Sequence, residues 1–151
     1  MITAERYHDI SAGHKVTGHE SKCAHLHGHN YRVHFYVTAP ELDSLGRVMD
    51  FGVIKTKLCM WLEDNWDHKF LMFNEDPMLY DLITLFPKDI ITCSFNPTAE
   101  NMAKYLCEII APNKLSGTGC ILYKCRIEET RKCSASYEIP NWSQNQKTIK
   151  T

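Results

Sequence analysis

The chain has 151 residues, 44% hydrophobic and 23% charged, with a formal net charge of −1. That is enough length for one domain with a real core. The charge balance excludes a broad basic surface for nucleic acid or anionic lipid, and no stretch approaches the roughly 20 apolar residues of a membrane span. Seven cysteines without repeating spacing, and no Cys-x-x-Cys pair, argue against a disulfide framework or a thiolate zinc finger. Reduced thiols in a cytoplasm are the simplest expectation. The opening Met1–Arg6 lacks the basic-then-apolar layout of a secretory signal.

In chain order, residues 4–13 read as a strand in which His8, Ile10, Ala12 and His14 share one parity. Residues 30–38 form a clearer strand, with Tyr31, Val33, Phe35 and Val37 on its buried side. His27 and His29 prolong that stripe, and Gly28 between them lets the backbone bend. Pro40, Asp43 and Gly46 mark a turn.

The spacing of Phe51, Ile54, Leu58, Trp61 and Leu62 predicts a helix over 50–65, capped by Asp50. Asp76-Pro77 opens a short helix through Phe86, with Pro77 at its first helical position. Asp89 to Ser94 is a candidate edge strand. Thr98 caps a second strong helix whose stripe is Met102, Leu106, Ile109 and Ile110, and which Pro112 and Asn113 end. Residues 121–128 alternate with odd positions inward, and Glu129 keeps that parity at the strand's end. A last strand over 133–139 returns as a hairpin, and the tail 141–151 is polar. The order strand, strand, helix, helix, strand, strand implies an α+β fold, helices packed on one face of an antiparallel sheet. A single domain over 1–140 is expected.

Paired as a hairpin, the first two strands bring His14, His27 and His29 together. Three neutral nitrogens and one open position make a catalytic zinc site. Spacing alone leaves equal room for three ordinary polar histidines, and His25 is the nearest substitute in the set. Cys23, four residues before His27, is a thiol in a polar loop beside Lys22, placed to act as base or nucleophile near a metal. Cys59, Cys107 and Cys125 read as buried hydrophobes. Asp67-His68 fits either a proton relay or a helix-end pair with the imidazole on the C-terminal dipole, and the sequence favours the latter. Glu129, with inward parity, matches a forked N–H edge or reaches solvent.

Taken together, the stretches Ile10–Lys15, Cys23–Tyr31, Met49–Phe51, Asp67-His68, Asn96–Asn101 and Glu129-Thr130 resemble the 6-pyruvoyltetrahydropterin / 6-carboxytetrahydropterin synthase family over roughly residues 6–139. The short Cys-x-x-x-His-x-His spacing is similar to the bacterial carboxy-type enzymes of queuosine (7-deazaguanine) biosynthesis. The resemblance implies the tunnelling fold (T-fold), a four-stranded antiparallel sheet with two helices in ββααββ order, here with an insert at about 69–95 before the second helix. It implies Zn2+ on His14, His27 and His29, Cys23 as proton acceptor and Asp67 and His68 as a relay. Glu129, with Thr130, would hold the pterin's amino-pyrimidine edge. Lys15, Lys22 and Arg131 are candidates for the triphosphate.

The implied reaction converts 7,8-dihydroneopterin triphosphate to 6-carboxytetrahydropterin, acetaldehyde and triphosphate without a redox cofactor. Sites would lie between subunits of a homo-oligomer, two stacked trimers. The alternatives are a pyruvoyl-type synthase that keeps the side chain, and a zinc- and pterin-binding homologue without turnover.

Overall fold

The computed structural model describes residues 1–141, so the polar tail beyond Asn141 lies outside the described residues. Its centre is a long hairpin of β1 (Thr3–His14) and β2 (His27–Thr38), antiparallel and in unbroken register from Thr3↔Thr38 to His14↔His27. The full sheet has six strands in the order β4-β3-β1-β2-β5-β6. Here β3 is Phe70–Phe73, β4 is Ile90–Cys93, β5 is Ile121–Glu128 and β6 is Ser134–Glu138. Strands β1, β2, β5 and β6 are the expected antiparallel four. The insert adds the other two: β3 runs parallel to β1, and β4 parallel to β3. The sheet is therefore mixed; β4 matches the expected edge strand at 89–94, and β3 is the one strand the sequence does not predict. The four residues of β3 are too few to carry an alternation.

Two long helices cover one face. Helix α1 (residues 51–65) begins where the Asp50 carboxylate accepts the Gly52 N–H. Helix α3 (residues 99–114) begins where the Thr98 hydroxyl accepts the Asn101 N–H. Each contains one π turn, Lys55–Cys59 and Leu106–Ile110. Leu58 and Cys59 in the first π turn, and Leu106 and Cys107 in the second, are buried. Pro112 does not end α3 as expected. It follows directly on the π turn, and the helix runs on to Lys114. The short insert helix α2 (Leu79–Leu85) starts later than expected. Asp76 and Pro77 precede it, and the Asp76 carboxylate turns back to the end of β1.

The core is the sandwich of these helices on the sheet. Val33, Phe35 and Val37 from β2, Ile54, Leu58 and Leu62 from α1, and Met102 and Leu106 from α3 are buried. In β5 the odd positions Tyr123, Cys125 and Ile127 are buried as expected and Ile121 is half-buried, but Leu122 is buried too. Opposite consecutive Tyr36 and Val37 the register passes from Lys124 to Leu122, so β5 carries Tyr123 as an extra residue and Leu122 turns inward.

The opposite face is polar and cross-linked. Arg32 donates two bonds to Asp9, of 2.8 and 3.0 Å. His34, on this outward face by strand parity, is only 7% exposed, because Glu5, Glu128, Arg126 and the Tyr7 ring surround it. No helix among the described residues is long and apolar enough to cross a membrane.

Candidate metal centre and its surroundings

The hairpin register determines the site. His14 on β1 faces His27 on β2, and Ala12 faces His29, so the three rings emerge on the helix-covered face at one end of the sheet. Their centroids lie 4.5, 5.1 and 4.9 Å apart, and a ligand atom from each falls within 4.8 Å of the others. The three can hold a metal ion.

The chemistry of the donors fits an ion there. His14 Nδ1 lies 2.6 Å from the Pro97 carbonyl, and His27 Nδ1 lies 2.7 Å from the His25 carbonyl. A carbonyl can only accept, so both rings carry their proton on Nδ1. Both Nε2 atoms then present lone pairs to one another at 2.9 Å. That contact is unfavourable unless a cation sits between them. His29 Nε2 is buried with no hydrogen-bond partner, a further ring nitrogen that a cation would satisfy. Burial, offset by the Pro97 carbonyl and reinforced by His27 and His29, pushes His14 down to about 4. Burial also lowers His29, against the opposing pull of Glu129. His14 and His29 are thus held toward the neutral form that can ligate a metal. His25 is exposed and gives only its carbonyl.

Glu129 follows β5 and its carboxylate reaches the same rings. One oxygen is 3.9 Å from His14 Nε2 and the other 3.9 Å from His29 Nε2. Cys23 sits in a short 3-10 turn, Lys22–Ala24, and lines a cavity of about 210 Å³ together with His14, Glu129, Thr98 and Cys133. Lys22 is exposed beside it.

Asp67 and His68 lie on the far edge of β1. Ser11 N–H donates to Asp67 at 2.9 Å, and His68 N–H donates to the Ser11 carbonyl at 2.7 Å. Sequence favoured a helix-end pair because adjacent residues rarely face each other. Here His68 has φ of 57°, which swings its ring back so that Nδ1 meets Asp67 at 2.8 Å. Burial acts to raise the Asp67 pKa, but the Ser11 N–H and the His68 ring outweigh it and hold the carboxyl low. This pair shares an open groove of about 910 Å³ with His29, Glu129 and Thr130. Within one chain, then, Cys23 and Asp67-His68 line different cavities, and Glu129 belongs to both.

Thr130 anchors the hairpin turn, where its hydroxyl accepts the N–H groups of Lys132 and Cys133 at 3.1 Å each. Lys15 turns away from the centre to Asp76, at 3.0 Å, in a buried knot that Thr17 also joins. Sequence reasoning missed Asp76, Pro97 and Cys133. A backbone carbonyl carries no residue-type signal, and Asp76 read only as a helix start.

The 6-pyruvoyl tetrahydropterin synthase family model matches residues 3–140. The 6-carboxy-5,6,7,8-tetrahydropterin synthase of Rickettsia felis is 34% identical over 134 residues, 88% of this chain and 97% of that one. The enzyme of the same name from Helicobacter pylori is 30% identical over 68% of this chain and 52% of its own. Among solved structures, the 6-pyruvoyl tetrahydropterin synthase of Caenorhabditis elegans superposes with a TM-score of 0.66 at 28% identity, covering 91% of this chain and 94% of that one. An uncharacterized protein from Wolinella succinogenes gives 0.78 at 21% identity, over 91% and 97% of the two chains. The fold is that of these tetrahydropterin synthases. With the histidine trio in place and the match spanning nearly every described residue, the chain belongs to the 6-pyruvoyl tetrahydropterin synthase family.

Proposed function

We propose that this chain is a zinc-dependent 6-carboxy-5,6,7,8-tetrahydropterin synthase. It converts 7,8-dihydroneopterin triphosphate to 6-carboxytetrahydropterin, acetaldehyde and triphosphate, as a carbon–carbon lyase of 7-deazaguanine (queuosine) biosynthesis in the cytoplasm. The observation that carries the reading is the pair of facing Nε2 lone pairs of His14 and His27, beside a cavity that also holds Cys23 and Glu129.

His14, His27 and His29 hold the zinc. When bound, it supplies Lewis acidity to side-chain oxygens of the ligand. Cys23 takes and returns protons at the side-chain carbons. Asp67 orients His68 through their 2.8 Å bond, so that the free Nε2 can pass protons. Glu129 accepts the forked N–H edge of the pterin ring, with Thr130 holding the turn beside it. Cys23 and the Asp67-His68 pair line separate cavities of one chain. This supports a homo-oligomer, two stacked trimers, in which one copy completes the site of the next. Lys22, Arg131 and Lys15 are the triphosphate contacts in this reading; Lys22 and Arg131 are exposed, whereas Lys15 must first leave Asp76.

The test is incubation of purified, zinc-loaded protein with dihydroneopterin triphosphate and mass analysis of the products. Acetaldehyde with a carboxylated pterin is the expected result. A second reading, the pyruvoyl-type synthase, is favoured by the Caenorhabditis elegans neighbour. Its product would retain all three side-chain carbons and release no acetaldehyde.

A further inference from the structure

We propose that Glu129 closes the fourth side of the metal site in the ligand-free protein and withdraws when a ligand enters. A tetrahedral metal with bonds of about 2.0–2.1 Å holds its donor atoms roughly 3.3 Å apart. The two Glu129 oxygens stand 3.9 Å from His14 Nε2 and 3.9 Å from His29 Nε2. The carboxylate is thus little more than half an ångström outside the shell of two rings. Those distances are too long for hydrogen bonds. His14 in any case has its proton on Nδ1, toward Pro97, and offers Glu129 only a lone pair. An anion turned toward a lone pair is explained by a cation between them.

Position supports mobility of the side chain and not of the chain. The Glu129 N–H donates to the Cys133 carbonyl at 3.1 Å, which pins the backbone at the start of the turn. The side chain is 23% exposed and forms part of the wall of both the Cys23 cavity and the Asp67-His68 groove. Rotating it off the metal opens a coordination position and joins the two spaces in one movement. The inference rests on the metal and pterin reading above. It adds that a single carboxylate alternates between the ion and the ring edge, so that the open position appears only when a ligand arrives to claim the carboxylate.

The experiment uses chelator-stripped full-length protein reloaded with Co2+ for its visible spectrum, and with Zn2+ in competition with a chromophoric chelator. Glu129→Gln should bind Zn2+ at least tenfold more weakly and shift the cobalt bands. Glu129→Asp keeps the charge but shortens the reach, and should show the same shifted bands. Glu128→Gln, one residue away on the opposite face, should match the native protein in both measurements. Biopterin, a fully oxidised pterin that keeps the vicinal diol, should move the native cobalt bands and leave Glu129 off the ion. Native-like affinity and spectrum in Glu129→Gln would overturn the inference, as would a native-like spectrum in Glu129→Asp, which assigns the carboxylate a purely electrostatic part. If the native protein takes up neither metal, the metal reading itself fails and this one with it.

Discussion

Acidifying the metal-free protein tests the buried, neutral state of His14. The ring is 1% exposed, and burial holds its pKa at about 4 against an ordinary 6.5. The unfolded chain takes up a proton near the ordinary value, whereas the folded chain refuses it until about 4. The unfolded state therefore binds more protons throughout that window, and stability must fall as pH falls through it. The contribution is fully present above 6.5 and gone below 4. At about 1.4 kcal/mol per pH unit it amounts to about 3 kcal/mol over the window, and to about 2.5 kcal/mol between pH 7 and pH 4.5.

The assay is urea unfolding followed by tryptophan fluorescence, in chelator, at pH 7 and pH 4.5. His14→Gln retains an amide N–H for the Pro97 carbonyl and has nothing to titrate. Carboxylates away from the site respond alike in both proteins, so the difference between their pH responses reports His14 together with its coupling to His27 and His29. The native protein should lose about 2.5 kcal/mol more than the variant on acidification. Equal losses, within about 0.5 kcal/mol, would refute the neutral-imidazole argument. Metal loading should shift the onset of the loss to lower pH, because protons must then displace the ion.

Three further outcomes follow from the same geometry. Cys23→Ala should keep one zinc per chain and lose turnover, whereas His27→Ala should lose both; metal analysis beside the product assay reads the division. Asp76→Ala leaves the Lys15 ammonium, 14% exposed, without its buried partner, and should cost about 3 kcal/mol by urea titration. Leu62→Ala removes a fully buried side chain from α1. It should cost about 2–5 kcal/mol while zinc stoichiometry stays unchanged.

What could be read in the residues was what alternation and capping encode. The stripe Tyr31, Val33, Phe35 and Val37, the caps Asp50 and Thr98, and the parity of His14, His27 and His29 all sit where local rules put them. The unreadable parts depend on tertiary geometry. Strand β3 owes its existence to the exposed edge of β1, which its own four residues do not announce. The Asp67-His68 contact needs the positive φ at His68, which no residue type there advertises. Leu122 turns inward because β5 carries one residue more than β2 where they pair, a match that only the paired strands reveal. His34 is hidden by charges from three neighbouring strand positions, so a two-residue period assigns its side but not its exposure.

The β1–β2 register separates two things that a primary structure runs together. The imidazoles ride on paired strands, so residues 15–26 could grow or shrink without moving them. Cys23 rides on that connecting stretch, in a short turn tied back by the Val16 N–H to its carbonyl, and any change in the stretch's length would relocate the sulfur. Evolution can thus retune the reactive group on this scaffold by editing one loop, with the ion's cradle untouched.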